Sequence, residues 1–169
     1  MRLPAPLDRV PWPAWAAAAS AAMLAAAHLF EAFGYAPCHL CLLQREVYWG
    51  ALAVAAAGLT LVRLAKLPVA VVSLLLGVVF VVGVGLAAFH AGVEWKLWPG
   101  PTTCTGVMGG LRASDLGGLL DGTTKVRAPA CDQAAWRMLG LSMAGWNALI
   151  SAGLAALSLI AARRERAHP

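Results

Sequence analysis

Long apolar segments at residues 14–34, 42–62, 67–90 and 138–162 constrain this chain more than any other feature. Each has about the 20 residues that an α-helix needs to cross roughly 30 Å of hydrocarbon. Backbone polar groups in lipid must be satisfied within the protein, so spanning segments are helices or closed barrels. These runs are continuous and lack the alternation of barrel strands, which leaves helices. Composition agrees. The chain is 60% hydrophobic and 12% charged, whereas soluble domains hold about 45–50% apolar and about 25% charged residues. The expected fold is an all-α integral membrane protein, a four-transmembrane-helix bundle forming one membrane domain over residues 1–169. Short and long outer loops are expected at 35–41 and 91–137. Arg2 and Arg9 before the first segment suggest a signal peptide, but an apolar signal core is about 7–15 residues. This run is longer and continues through Phe30, Phe33 and Tyr35, so it is read as a retained span.

Four spans place both outer connections on one side of the membrane. Cys38 and Cys41 fall in the first connection, Cys104 and Cys131 in the second. All the cysteines therefore share one aqueous face. On the opposite side lie Arg2, Arg9, Arg63, Lys66, Arg163, Arg164 and Arg166, in tails and one short turn. Arg45, Lys96, Arg112, Lys125, Arg127 and Arg137 are on the cysteine side, most of them spread along the long loop. Orientation follows Lys and Arg density near span ends. The termini are thus expected in the cytoplasm and the cysteines outside, where disulfides form and persist.

Cys38 and Cys41 form a C-x-x-C at the head of the second span. A helix starting there directs the positive end of its dipole at the sulfurs and favours a thiolate. Arg45 lies one turn deeper on the same face. Its cation is expected to stabilise a thiolate or an anionic oxygen of a ligand, since an arginine within a membrane is costly unless it is paired or snorkels, and snorkelling is the competing reading this near the span end. The pattern admits redox exchange, structural bridges or a zinc site. Zinc knuckles pair two C-x-x-C units, and Cys104 and Cys131 are not so spaced. A bridge within C-x-x-C closes too small a loop to add much stability. Redox exchange is favoured, and no metal is expected.

Gly and Pro interrupt residues 91–137 repeatedly, so the segment reads as loop. A short surface helix is expected from Ser114 or Asp115 through Leu120. Trp95, Trp98 and Trp136 suit the headgroup level. His90 and Glu94 are placed just beyond the third span, at the aqueous face, where His90 donates to a ligand carbonyl, moves a proton or merely anchors the span end. His28 and Glu31 are spaced to pair with each other, and Asn147 to hydrogen-bond between helices. None of these last three is assigned a chemical role.

Four spans, a C-x-x-C followed by arginine at the head of the second, and Cys104 with Cys131 in a long second outer loop resemble the DsbB family. These are disulfide-forming proteins of the Gram-negative inner membrane. The stretches "FHAGVEWKLWPGPTTC" and "CDQAAWRMLGLSMAGWNALIS" are similar to the corresponding family segments. The resemblance implies a protein-disulfide oxidoreductase with periplasmic cysteines, a DsbA-like partner of thioredoxin fold, and ubiquinone or menaquinone drawn from the membrane as acceptor. It implies that Cys38 and Cys41 are the quinone-linked pair, with Cys41 nearest the quinone and Arg45 against it. Cys104 and Cys131 become the shuttle pair, Cys104 being attacked by the reduced partner and Cys131 then engaging Cys38. His90 is carried over as a further quinone contact. Gln44 stands where some members carry Glu, which weakens any proton-moving carboxylate there.

Two alternatives remain at this point. One is a non-catalytic membrane scaffold with structural disulfides. The other is a quinone reductase resembling vitamin K epoxide reductases, where the quinone-side C-x-x-C usually lies on the last span. No nucleic-acid partner is expected.

Overall fold

A computed structural model describes residues 10–101 and 131–167. Cys104 and the helix expected over 114–120 lie outside the described residues. The elements are α1 (Trp12–Ala32), α2 (His39–Ala65), α3 (Val69–Glu94), a two-stranded hairpin of β1 (Arg137–Met138) and β2 (Leu141–Ser142), and α4 (Met143–Ala167). The four helices are each long and apolar enough to cross a membrane, and the chain is a multi-pass, four-helix membrane protein.

Local chemistry sets the helix ends. Pro13 lies in the first turn of α1, where a missing N–H costs nothing. At the other end, Gly34 takes φ +94°, and its N–H reaches the Glu31 carbonyl while Tyr35 N–H reaches that of Phe30. This is the paired closure that a left-handed glycine permits. The accompanying apolar contact is the edge-on packing of Tyr35 on Phe30, with centroids 5.9 Å apart. Lys66 in the left-handed region and Pro68 end α2 and start α3 within three residues, so those helices run antiparallel as neighbours.

The third helix extends to Glu94, beyond the boundary at 90. His90 and Glu94 are therefore buried within the bundle, a correction to their placement on the aqueous face. Trp98 folds back over the end of α3, donating to the Phe89 carbonyl at 2.9 Å and stacking on the Phe89 ring. The fourth helix begins at Met143 rather than at 138. Leu139 and Gly140 both have positive φ, the geometry of a two-residue hairpin turn, and the chain pairs Arg137 with Ser142 before entering the membrane.

The core joins Ala16 and Leu24 of α1 to Tyr48, Ala51 and Ala55 of α2, Val72, Leu76 and Phe80 of α3, and Leu154 of α4. Leu29, Leu64, Val78, Val82 and Leu149 point outward, as lipid permits. In lipid the apolar effect does not press helices together, so small residues at contacts take over. Ser20, Ser73, Ser151 and Ser158 are fully buried. At Gly58, a Cβ would run into the Val72 side chain, whereas at Gly50 it would meet nothing within 4 Å. The variant Gly58→Val should therefore lose about 1–3 kcal/mol of stability by overpacking, read as a lower melting temperature in detergent. Gly50→Ala should show no loss, and equal effects at both glycines would refute close α2–α3 packing as the cause.

Candidate functional site

The short link from Gly34 to Pro37 brings the chain from the end of α1 to Cys38, which has extended geometry (φ −80°, ψ 172°) and caps α2. Its sulfur accepts the Cys41 backbone N–H at 3.3 Å. The Cys41 sulfur lies 2.9 Å away, and His90 Nε2 on α3 lies 3.6 Å away. Cys38 and Cys41 are free thiols. Cys131 is disulfide-bonded and almost fully buried in one cluster with Cys38, Leu40 and Val93, against which Cys41 packs. Three of the four expected cysteines are thus gathered at one end of the bundle, and Cys104 lies outside the described residues.

Hydrogen bonding from Cys41 is the largest influence on the Cys38 thiol, and it overcomes the opposing effect of burial. A further hydrogen bond from His90 acts in the same direction, and the Cys38 pKa comes down to about 4. The helix N-terminus adds to this preference for a thiolate. The thiol and imidazole donors of Cys38, Cys41 and His90 lie within 4.8 Å of one another, a Cys2His set of the kind that metals also use.

Below the sulfurs a cavity of about 370 Å³ opens among α1, α2 and α4. Its walls are apolar, from Met23, Leu24 and Phe30 on one side to Met143 and Ile150 on the other. The first and fourth helices scarcely touch, which leaves the cavity flanked by two helices with little packing between them. Its polar groups include Gln44, Arg45, Tyr48, His90, Glu94 and Asn147. A pocket of this size, mostly apolar with a few convergent polar groups, suits a small ligand.

Arg45 is turned toward α1. Its guanidinium donates to Glu31 Oε2 at 2.7 Å and to the Ala27 carbonyl at 3.2 Å. Glu31 also lies 3.6 Å from His28, so the expected His28–Glu31 pair exists but is shared with Arg45. Arg45 lines the cavity beside Cys41, and the group bonded to the Cys38 sulfur from another helix is His90. Asn147 does bridge helices, donating to Gln44 Oε1 at 2.5 Å and accepting from the Tyr48 hydroxyl.

Two residues of the site have no assigned role in the sequence analysis. Gln44, which stands where some DsbB-family members carry Glu, bonds His90 Nδ1 at 2.8 Å. Tyr48 is the other. Cys41, Gln44 and Tyr48 recur at helical spacing, and that polar stripe on a largely apolar helix is the signal the sequence offers. At the rim, Ser142 caps α4 by accepting the Gly145 N–H at 3.1 Å and donates its hydroxyl to Glu94. Lys96 pairs with Asp132 at the surface, and Trp136 packs on Phe30 at 5.6 Å.

The Cys38 value makes a pH prediction. A free thiol titrates near 8.5, so the folded reduced protein holds its thiolate through neutral pH and protonates it only as pH falls toward about 4. Because the folded value is the lower one, the thiolate's contribution to stability is complete above the free-thiol range and is lost as pH falls through the folded value. The ultraviolet thiolate absorbance of the reduced protein, with Cys38→Ser as blank, should show this low midpoint. A midpoint near that of a free thiol would contradict it.

The family model described as "Disulfide bond formation protein DsbB" matches residues 9–161. No curated protein and no solved structure matches the chain.

Proposed function

Since the chain belongs to the DsbB family of disulfide bond formation proteins, we propose that it is a quinone-dependent thiol oxidase of the bacterial inner membrane. It reoxidises a periplasmic DsbA-like dithiol protein. The observation that carries this reading is the meeting of three cysteines, two of them free thiols, at the head of an apolar cavity. A scaffold stapled by disulfides has no use for free vicinal thiols there.

The exchange steps follow from thiolate chemistry. A partner thiolate attacks Cys104 of a Cys104–Cys131 disulfide and expels the Cys131 thiolate. The partner's second thiolate then closes the partner's own disulfide and releases Cys104. Next, Cys131 attacks Cys38 of an oxidised Cys38–Cys41 pair and expels Cys41. Cys104 resolves the Cys38–Cys131 bridge and releases Cys38. Two electrons have then moved from the partner to the C-x-x-C. Cys38 is a good leaving group in that last step because its thiolate is stabilised by its hydrogen bonds.

The cavity fits a quinone head group. Its walls are apolar, and Arg45 retains N–H donors beyond the two that Glu31 and Ala27 occupy. Arg45 and Cys41 would hold the ring, with His90 near by. Bound there, a quinone supplies a two-electron, two-proton acceptor that returns the C-x-x-C to its disulfide. The basic tails and the turn at Arg63 and Lys66 favour a cytoplasmic location for the end opposite the cysteines.

In lipid vesicles containing ubiquinone, the purified protein should oxidise a reduced DsbA-like protein from the same genome, and vesicles without quinone should give no turnover. Cys41→Ser should abolish the activity. Arg45→Leu should raise KM for the quinone roughly 10- to 100-fold, as loss of a charged hydrogen bond worth about 1.5–3 kcal/mol implies. Quinone-independent oxidation, or normal turnover in Cys41→Ser, would overturn the assignment.

A further inference from the structure

The polar groups beneath Cys38 form one directed chain of hydrogen bonds, and its direction has a chemical consequence. It begins at a carbonyl. Leu40 O receives a bond from the Gln44 side-chain nitrogen at 3.2 Å. A carbonyl only accepts, so the Gln44 atom on that side must be the NH2 group. The same nitrogen lies 2.8 Å from His90 Nδ1. An amide NH2 donates and does not accept, so Nδ1 is the acceptor. The neutral imidazole then carries its proton on Nε2, the ring nitrogen 3.6 Å from the Cys38 sulfur.

The far side of Gln44 is pinned as well. Its Oε1 accepts from Asn147 Nδ2 at 2.5 Å, and Asn147 Oδ1 accepts from the Tyr48 hydroxyl. That hydroxyl lies 3.1 Å from Ser151 Oγ. Turning the Gln44 amide over would set its oxygen against the Leu40 carbonyl, and that contact is repulsive whichever way Asn147 is turned, in a buried site where unpaired polar groups are costly. Protonating Nδ1 would likewise bring two donors face to face.

We propose that Gln44 is a positioning residue that holds His90 neutral, with its ring proton on Nε2 and directed at Cys38, making His90 a hydrogen-bond donor to the thiolate and not a proton acceptor. The inference rests on the proposed function in that Cys38 is one of the sulfurs that react. Asn147 and Tyr48 serve the same end by fixing the amide of Gln44. Among the described residues, the charged and titratable groups around the imidazole and Cys38 are few. Cys41 and Arg45 come from α2 and Glu31 from α1 on Arg45, while the disulfide-bonded Cys131 beside them does not titrate. Glu94 comes from α3, with Oε1 3.9 Å from His90 Nε2. Its other oxygen takes the Ser142 hydroxyl, so Glu94 is a second acceptor facing the same ring proton and favours the same tautomer. That proton also occupies the lone pair a metal ion would need from His90.

The test is spectroscopic and requires neither quinone nor partner, so it stands or falls separately from turnover. Full-length reduced protein labelled with 15N-histidine, in lipid nanodiscs, should show a neutral His90 ring with protonated Nε2 and bare Nδ1, assigned against His90→Asn. In Gln44→Glu, a carboxylate faces Nδ1 and should draw a proton onto it. In Gln44→Leu, the ring loses its anchor, and the Cys38 thiolate absorbance midpoint should rise by about 1–2 pH units, the range expected for losing a hydrogen bond to a charged group. A wild-type ring protonated on Nδ1, whether neutral or cationic, would overturn the proposal. So would an unmoved Cys38 midpoint in Gln44→Leu. Should Gln44→Leu fail to fold, the wild-type and Gln44→Glu ring states decide the matter alone.

Discussion

A polar group in hydrocarbon has to find its partner inside the protein, and this constraint organises the whole bundle. Lipid offers no competing hydrogen bond, so an unpaired side chain there costs several kcal/mol or more. Among the described residues no buried side-chain nitrogen or oxygen is left without a partner. The solution is collective. Gln44, Tyr48, Asn147, Ser151 and His90 come from three helices and satisfy one another in sequence. Near the other end of the bundle, Trp12 bonds Ser158 at 2.9 Å and Ser73 bonds Glu165 at 2.6 Å. Each pair ties two helices that apolar packing alone would leave free to slide.

The site occupies the one end where this rule relaxes. Cys38 is outside the helix it caps, and its sulfur is satisfied by donors that also favour the charged form. Capping and reactivity are therefore one arrangement: the free N–H groups of a helix start are anion sites, and here the anion is a thiolate. Arg45, one turn deeper, is held by Glu31 from the first helix. The cation is thus neutralised within the membrane while its remaining N–H groups stay available at the cavity.

The hairpin before α4 carries out a related task. Its tight turn at Leu139 and Gly140 delivers Ser142 to the head of α4, where one hydroxyl both caps the helix and binds Glu94. Cys131 reaches the buried cluster with Cys38 from the segment just upstream, and the surface pair of Lys96 with Asp132 lies beside it. Such an exposed ion pair adds little stability, and the anchoring of this segment comes from the burial of Cys131 and the packing of Trp136 on Phe30.

The sequence by itself determined the four long apolar helices and the C-x-x-C at a helix start. These follow from local length, hydropathy and spacing, which physics reads along the chain. It also exposed the resemblance to the DsbB family. The third helix runs on past its apolar stretch to Glu94, and His90 and Glu94 look like aqueous residues until Cys38, Gln44 and Ser142 are placed around them. The neighbour of the thiolate was likewise hidden. Arg45 is close to Cys41 in sequence, whereas His90 is 52 positions from Cys38. Only the tertiary structure decided which cation met Glu31, which ring met the sulfur, and which way each amide pointed. A hydrogen bond has a direction, and that direction is set by all the groups in the chain at once, however far apart they stand in sequence.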